Sequence, residues 1–283
     1  MADHVGRLSG KHWTGSGVDP VVQKTIHTAR GVRLAVHETG PVDGPAVVLV
    51  HGWAQSGTAW AAVDGFRTCA VDLRGHGDSD EPADGYDDPA AWADDLAAVL
   101  AHVGRPAVLV GWSYGGLVVA DYLRVHGTSL VDGLVLVGAI TGIGRGRAGG
   151  RIGPVMRAAM PAALTDDTAL AEFCAAMAPS LPASTVDRLT VAALRVSPAV
   201  RAALFDRDVD NTDVLAAVDV PAVVLHGLDD GVVAPSAAEH NANAIPGADL
   251  VLLPGTGHLP FLERPAEFAA ALATAARRPE VAR

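Results

Sequence analysis

The hexapeptide Gly111-Trp112-Ser113-Tyr114-Gly115-Gly116 follows an apolar run, AVLV, and precedes a helical pattern. Glycines two before and two after a serine remove side chains that would collide in a tight strand-to-helix turn. The serine can then occupy a strained conformation with its Oγ exposed, and the following helix aims amide hydrogens and the positive end of its dipole at that oxygen. A serine hydroxyl is a poor nucleophile at neutral pH and needs a base within hydrogen-bond reach. Eleven histidines compete for that part. His258 stands in Pro254-Gly255-Thr256-Gly257-His258-Leu259-Pro260, a loop after the last expected strand. Loops at the strand ends of a parallel sheet gather at one edge, where Ser113 also falls, so His258 is the expected base. His51 and His226 close strands in His-Gly pairs, where local packing is the simpler expectation, and His240 lies on an expected helix facing solvent. The imidazole in turn needs a carboxylate to fix its tautomer. The strand ending Leu225-His226-Gly227-Leu228-Asp229-Asp230 offers two. The residue three after the glycine falls in the loop, which selects Asp230 and leaves Asp229 as a turn-capping or solvated group. The loop after DGLVLVGA presents only Ile140 and Thr141, so it supplies no rival acid. Acyl transfer also needs amide donors for the oxyanion. The amide after the nucleophile belongs to Tyr114, and the loop His51-Gly52-Trp53 supplies Trp53 as the second. Both side chains are also expected to pack around the pocket.

These groups are far apart in sequence and need a scaffold. The runs AVVLV, RTCAV, AVLV, DGLVLVGA, PAVVLHG and ADLVLL are continuous and apolar, as in strands buried on both faces of a parallel sheet. VVQKTIHTA and VRLAVHET, separated by Arg30-Gly31, read as a hairpin of mixed polarity near a sheet edge. Helical spacing appears over 89–103, with Trp92, Leu96, Val99, Leu100 and Val103 inward and Asp94 and Asp95 outward. Further helices are expected over 115–126, 235–245 and 265–277, the last two opening with proline. Alternation of strand and helix gives an α/β fold with a mostly parallel sheet. Residues 140–217 break the alternation: a Gly-rich basic neck, GIGRGRAGGR, leads into short helical patterns without a strand-like run. This stretch reads as a helical cap over the sheet's carboxyl edge. The expected organisation is therefore a flexible N-terminal arm over 1–20, a core of 21–139 with 218–283, and the cap between the two core segments.

The chain resembles the α/β-hydrolase family, in its serine esterase and cofactor-free haloperoxidase-like branch. The resemblance rests on HGW at 51–53, DLRGHGDSD at 72–80, GWSYGG at 111–116, HGLDDGVV at 226–233 and GTGHLPFLERP at 255–265, spread over about 21–277. It implies an eight-stranded sheet with one antiparallel edge strand and a cap after strand six. It also implies Ser113 as nucleophile, Asp230 as acid, His258 as base, and Trp53 and Tyr114 as amide donors, in the chain order of that family. Asp72, Arg74 and His76 belong by the same resemblance to a structural turn. The elbow residue is serine rather than aspartate, which argues against epoxide opening and halide displacement through an alkyl-enzyme ester.

Serine favours attack on an acyl carbon, so the expected activity is hydrolysis of a carboxylic ester, thioester or lactone of a small to medium apolar substrate. Carbon–carbon hydrolysis of a diketone-like substrate and a slow-turnover ligand receptor are the alternatives. Met156, Met160, Phe173, Met177, Leu204 and Phe205 supply apolar candidates in the cap. Of these Met156, Met160 and Phe173, with Trp53 and Tyr114, are the expected substrate contacts, against the plainer expectation that each packs within the cap. No metal or organic cofactor is required by this chemistry. With 283 residues, 49% hydrophobic and 19% charged, the chain is globular rather than disordered. A net charge of −11 disfavours nucleic acid and anionic membrane as partners. Two cysteines, Cys69 and Cys174, make no disulfide framework. The opening segment lacks the apolar stretch of a signal peptide and no run of ~20 apolar residues follows, so a cytoplasmic location is expected. A small-molecule substrate is the expected partner, and a homo-oligomer stays open.

Overall fold

The computed structural model describes residues 20–61 and 63–277. The expected N-terminal arm, apart from Pro20, lies outside them. The described strands are β1 (Val22–His27), β2 (Arg33–Thr39), β3 (Ala46–Val50), β4 (Arg67–Val71), β5 (Ala107–Trp112), β6 (Val131–Val137), β7 (Gly142–Ile143), β8 (Val209–Asp210), β9 (Ala222–Gly227) and β10 (Asp249–Leu253). Eight of them form one sheet in the order β1-β2-β4-β3-β5-β6-β9-β10. The apolar runs sit where burial on both faces demands them: every residue of β3, β5 and β9 is buried. From β4 across to β10 the strands run parallel. β2 is antiparallel to both its neighbours, β1 and β4. The strand of opposite sense is thus one place in from the edge rather than the edge strand itself, because the β1–β2 hairpin returns β1 to the common direction. Its turn is closed by Thr28 and Val32, with Gly31 at φ 77°.

Helices α1 (Pro89–Val103) and α2 (Gly115–His126) pack against each other and the sheet. α1 starts where the Asp88 side chain accepts the Ala90 amide and Pro89 takes the first position, and it ends at Gly104 with φ 75°. Its apolar stripe is as expected from the spacing, but Asp95 is not outward. It is buried in a bidentate pair with Arg74, at 2.7 and 2.8 Å. Between β6 and β9 lie α3 (Pro154–Ala159), α4 (Ala162–Thr165), α5 (Asp167–Met177), α6 (Ala183–Leu194), α7 (Pro198–Ala203) and α8 (Thr212–Ala216). This stretch does contain strand: β7 and β8 pair antiparallel where the chain leaves the sheet and returns to it. α9 (Pro235–Ala244), α10 (Pro260–Glu263) and α11 (Pro265–Ala275) complete the chain.

The crossover from β3 to β4 holds a single 3-10 turn, Gly57–Ala59, and among its described residues no α-helix. A hollow of about 320 Å³ lies beside it, lined by Leu49, Trp60, Thr68 and Ala70 among others. The Trp60 ring replaces part of the missing layer by packing on Phe261 and Phe268, with centroids 4.3 and 5.9 Å away.

Candidate active site

Ser113 sits between β5 and α2 with φ 54°, and Ala54 with φ 52° is the other non-glycine residue with positive φ among those described. Such backbone costs ~1–3 kcal/mol per residue and persists only where the surroundings enforce it. Here the Ser113 amide donates to the Val137 carbonyl at 3.1 Å, and its own carbonyl accepts from Gly116 and Ile140 at 3.0 and 3.1 Å. The flanking glycines are required by contact. A Cβ at Gly115 would lie 2.3 Å from the Val50 carbonyl oxygen, and one at Gly111 would lie 2.9 Å from the Gly115 carbonyl oxygen.

His258 follows β10 in a loop held at both sides of the imidazole. Glu263 accepts the Gly257 amide on one carboxylate oxygen and the Leu259 amide on the other, at 2.9 and 3.0 Å. The Trp112 indole donates to the His258 carbonyl at 2.9 Å. Asp230, in the turn after β9, accepts the Val232 and Val233 amides on Oδ1, at 2.8 and 2.9 Å. Its Oδ2 faces His258 Nδ1 at 2.7 Å. An ionised carboxylate only accepts, so Nδ1 carries the proton and Nε2 keeps its lone pair. Asp229 is exposed, and its amide is spent on the Thr256 carbonyl. Gly138 leaves room for the pair: a Cβ there would stand 3.2 Å from both Asp230 Oδ2 and His258 Nδ1.

The competing histidines are otherwise engaged. His51 Nε2 accepts the Leu73 amide at 3.0 Å, and its Nδ1 is 2.8 Å from the Gly52 carbonyl, to which it donates. Burial, reinforced by neighbouring His76, pushes it down to about 3, so it is neutral. His76 donates to the Arg74 carbonyl and is pushed by burial down to about 4. Asp72 accepts the Gly57 and Asp78 amides, at 2.7 and 2.9 Å. The segment 72–80 thereby braces the loop carrying Trp53. His226 lies 3.1 Å from the Val233 carbonyl and 3.4 Å from Asp230 Oδ2. Burial lowers its pKa against the pull of Asp230. His240 is bonded to Thr212 at 3.1 Å.

Ser113 and His258 line one crevice of about 20 Å³ with Gly52, Trp53, Trp112, Met156, Phe173, Met177 and Val232. Of the expected substrate contacts, Trp53, Met156 and Phe173 are there. The Tyr114 side chain is not: its ring lies buried against Trp92, and its hydroxyl donates to the Leu204 carbonyl at 2.9 Å. Met160 is half-buried and packs on the core elsewhere, at the C-cap just past α3, the helix that buries Met156. Met177, Val232 and Trp112 take the remaining wall. Apart from His258, no ionisable side chain lines the crevice, so it suits an uncharged group. The Tyr114 amide opens α2, where the first amides of a helix have no intrahelical acceptor. The Trp53 amide stands in the turn closed by the bond from the Gln55 amide to the Gly52 carbonyl. Glu263, Gly138 and the Trp112 indole were not singled out in the sequence. Glu263 stands inside GTGHLPFLERP, but its reach back to two amides is not written in its type. Among the described residues no three His, Cys, Asp or Glu side chains are grouped to hold a metal ion, and no helix is long and apolar enough to cross a membrane.

The model of the Alpha/beta hydrolase family matches residues 47–271. The chain is 33% identical over 255 residues to the non-heme chloroperoxidase CPO-A1 of Kitasatospora aureofaciens, covering 82% of this chain and 90% of that one. It is 33% identical over 239 residues to a pimeloyl-[acyl-carrier protein] methyl ester esterase of Vibrio cholerae, covering 77% and 89%. The crystal structure of the esterase RhEst1 from Rhodococcus sp. ECU1013 superposes with a TM-score of 0.84 at 44% identity, over 89% of this chain and 97% of that one.

Proposed function

Since the chain belongs to the alpha/beta hydrolase family, we propose that it hydrolyses a carboxylic ester of a small to medium apolar substrate through an acyl-enzyme on Ser113. Ester hydrolysis is supported by the similarity to esterases. The observation that carries the residue assignment is the Asp230–His258 hydrogen bond of 2.7 Å opening on the same crevice as a serine held at positive φ.

In this reading Ser113 Oγ bonds to the acyl carbon while its proton passes to His258 Nε2. Asp230 keeps the tautomer fixed and stabilises the imidazolium. The negative charge developing on the former carbonyl oxygen meets the Trp53 and Tyr114 amides, the helix dipole of α2 adding to them. The oxyanion collapses as His258 returns the proton to the leaving alcohol. Water, deprotonated by His258, then cleaves the acyl-enzyme. A thioester or lactone fits the same steps. Residues 140–217 act as the cap: they bring Met156, Phe173 and Met177 to the crevice and limit what enters. The cap lies between two core segments, 21–139 and 218–283. The two thiols, buried and unpaired, fit a reducing cytoplasm. Burial pushes Cys69 up to about 12 and Cys174 up to about 11, so neither serves as nucleophile.

Ser113→Ala should lower p-nitrophenyl butyrate hydrolysis by at least ~10³-fold while the circular dichroism spectrum and melting temperature stay close to the parent's. A folded Ser113→Ala protein turning over at the parent's rate defeats the reading. Running lactones and diketones alongside the ester separates acyl transfer from carbon–carbon cleavage.

A further inference from the structure

Resting on the assignment of Trp53 and Tyr114 as oxyanion donors, we propose that the cap segment 201–207 sets the position of both amides, so that the Tyr114 hydroxyl and the Phe205 ring are positioning groups for ester hydrolysis. The two donors come from different loops, after β3 and after β5, and their side chains leave in the same direction. The Trp53 indole donates to the Arg201 carbonyl at 3.0 Å, and the Tyr114 hydroxyl donates to the Leu204 carbonyl at 2.9 Å. Both acceptors belong to the C-terminal end of α7, where helix carbonyls lack backbone partners. The amides that could have reached the Arg201 carbonyl are used elsewhere: Leu204 N bonds the Val200 carbonyl and Phe205 N the Ala202 carbonyl. Phe205 then stands edge-on to both donors, its ring 5.6 Å from that of Trp53 and 6.4 Å from that of Tyr114. Two residues on, Arg207 reaches the Tyr114 hydroxyl at 3.4 Å and grips Asp121 of α2 with bonds of 2.7 and 2.8 Å.

One seven-residue stretch of cap therefore holds both donor residues by their side-chain ends. An amide shares a Cα with the side chain so held, and an oxyanion site tolerates little displacement. The position after the serine is thereby a mechanical link to the cap as well as a donor.

The test takes three measurements. One is of kcat and KM for p-nitrophenyl acetate. The second is the Ki of a methyl trifluoromethyl ketone, whose carbonyl carbon bonds to Ser113 Oγ as its π pair moves onto oxygen and the serine proton passes to His258. The third is the Ki of the matching alcohol, which carries no oxyanion. Tyr114→Phe removes one hydroxyl, and Phe205→Leu removes the ring while leaving both hydrogen bonds in place. Each should lower kcat about tenfold, a fraction of the ~10²–10³ lost with a whole donor. Each should weaken the ketone by the same factor, with KM and the alcohol's Ki changed less than twofold. Arg124→Ala unties Asp213 from the C-terminal end of α2, where the bonds are 2.9 and 2.8 Å, at the opposite end of that helix from Tyr114; it should leave all four constants unchanged. Parental kcat and ketone affinity in either folded variant overturn the proposal, as does an equal loss in Arg124→Ala. If Tyr114→Phe fails to fold, Phe205→Leu decides alone. A Ser113→Ala protein that still hydrolyses ester takes down the underlying assignment, a failure distinct from a silent Tyr114 with Ser113 essential.

Discussion

Asp229 and Asp230 show how one turn gives adjacent, identical side chains different fates. Oδ1 of Asp230 is pinned by two amides, which leaves Oδ2 to His258, whereas Asp229 faces water. Asp230→Asn keeps the shape but presents an amide that can demand the wrong imidazole tautomer; the equivalent change in the serine-protease triad costs ~10⁴ in kcat. A loss of at least ~10²-fold in kcat for p-nitrophenyl butyrate is expected here, against less than about threefold for Asp229→Asn. If Asp229→Asn proves the worse lesion, the acid has been misassigned. Residue type, turn position and chain order made Ser113, His258 and Asp230 legible as candidates before any coordinate. Gly138 and Glu263 were not, because a glycine's vacancy and a carboxylate's reach to two amides depend on what folds around them. The same limit explains Tyr114: its place after the serine pointed to its amide, while the direction of its ring depends on Leu204, 90 residues downstream.

Elements with a strong apolar period were read correctly, since burial on one stripe or both faces selects residue types directly. Between β3 and β4 no helical spacing was read, and among the described residues a short turn and the Trp60 cluster stand there. The two-residue β7–β8 ribbon is too short for any period. Asp95 was assigned to solvent because a carboxylate on a helix is usually solvated, and its buried partner Arg74 lies in another element. A second such pair joins α2 to the stretch between α7 and β8. Arg207 and Asp121 are both fully buried, and burial drives the Asp121 carboxyl up to about 6 against the pull of Arg207. Removing one member strands a charge, which costs ~3–5 kcal/mol, whereas replacing both with apolar residues is often close to neutral. Urea denaturation should therefore show Arg207→Met destabilised by about 3 kcal/mol or more, and Asp121→Leu with Arg207→Met recovering most of that loss. A double variant as unstable as the sum of its singles contradicts a pairwise tie.

At the scale of the whole molecule, acid acts on histidines folded in the neutral state. His76, pushed down to about 4 by burial, binds no proton in the fold at pH 5, while the unfolded chain binds one below ~6.5. Its contribution is complete above ~6.5 and is lost as pH falls toward 4. His37 works in the opposite sense, since the Asp72 carboxylate 3.1 Å from its Nε2 raises its pKa, so a single variant isolates the effect better than the parent's profile. The stability gap between parent and His76→Gln in urea should be smaller at pH 5 than at pH 7, by on the order of 1–2 kcal/mol. A gap independent of pH would show that His76 protonates alike in both states. The backbone at Ala54 and Ser113 brings a different consequence. Both carry left-handed φ without being glycine; Ser113 lines the crevice and Ala54 follows Trp53, which lines it too. A directed-evolution campaign scored on heat tolerance alone would gain from glycine at either place by releasing that strain, and would erode turnover unseen. Thermal hardening of this enzyme has to begin elsewhere, with catalysis assayed in every round.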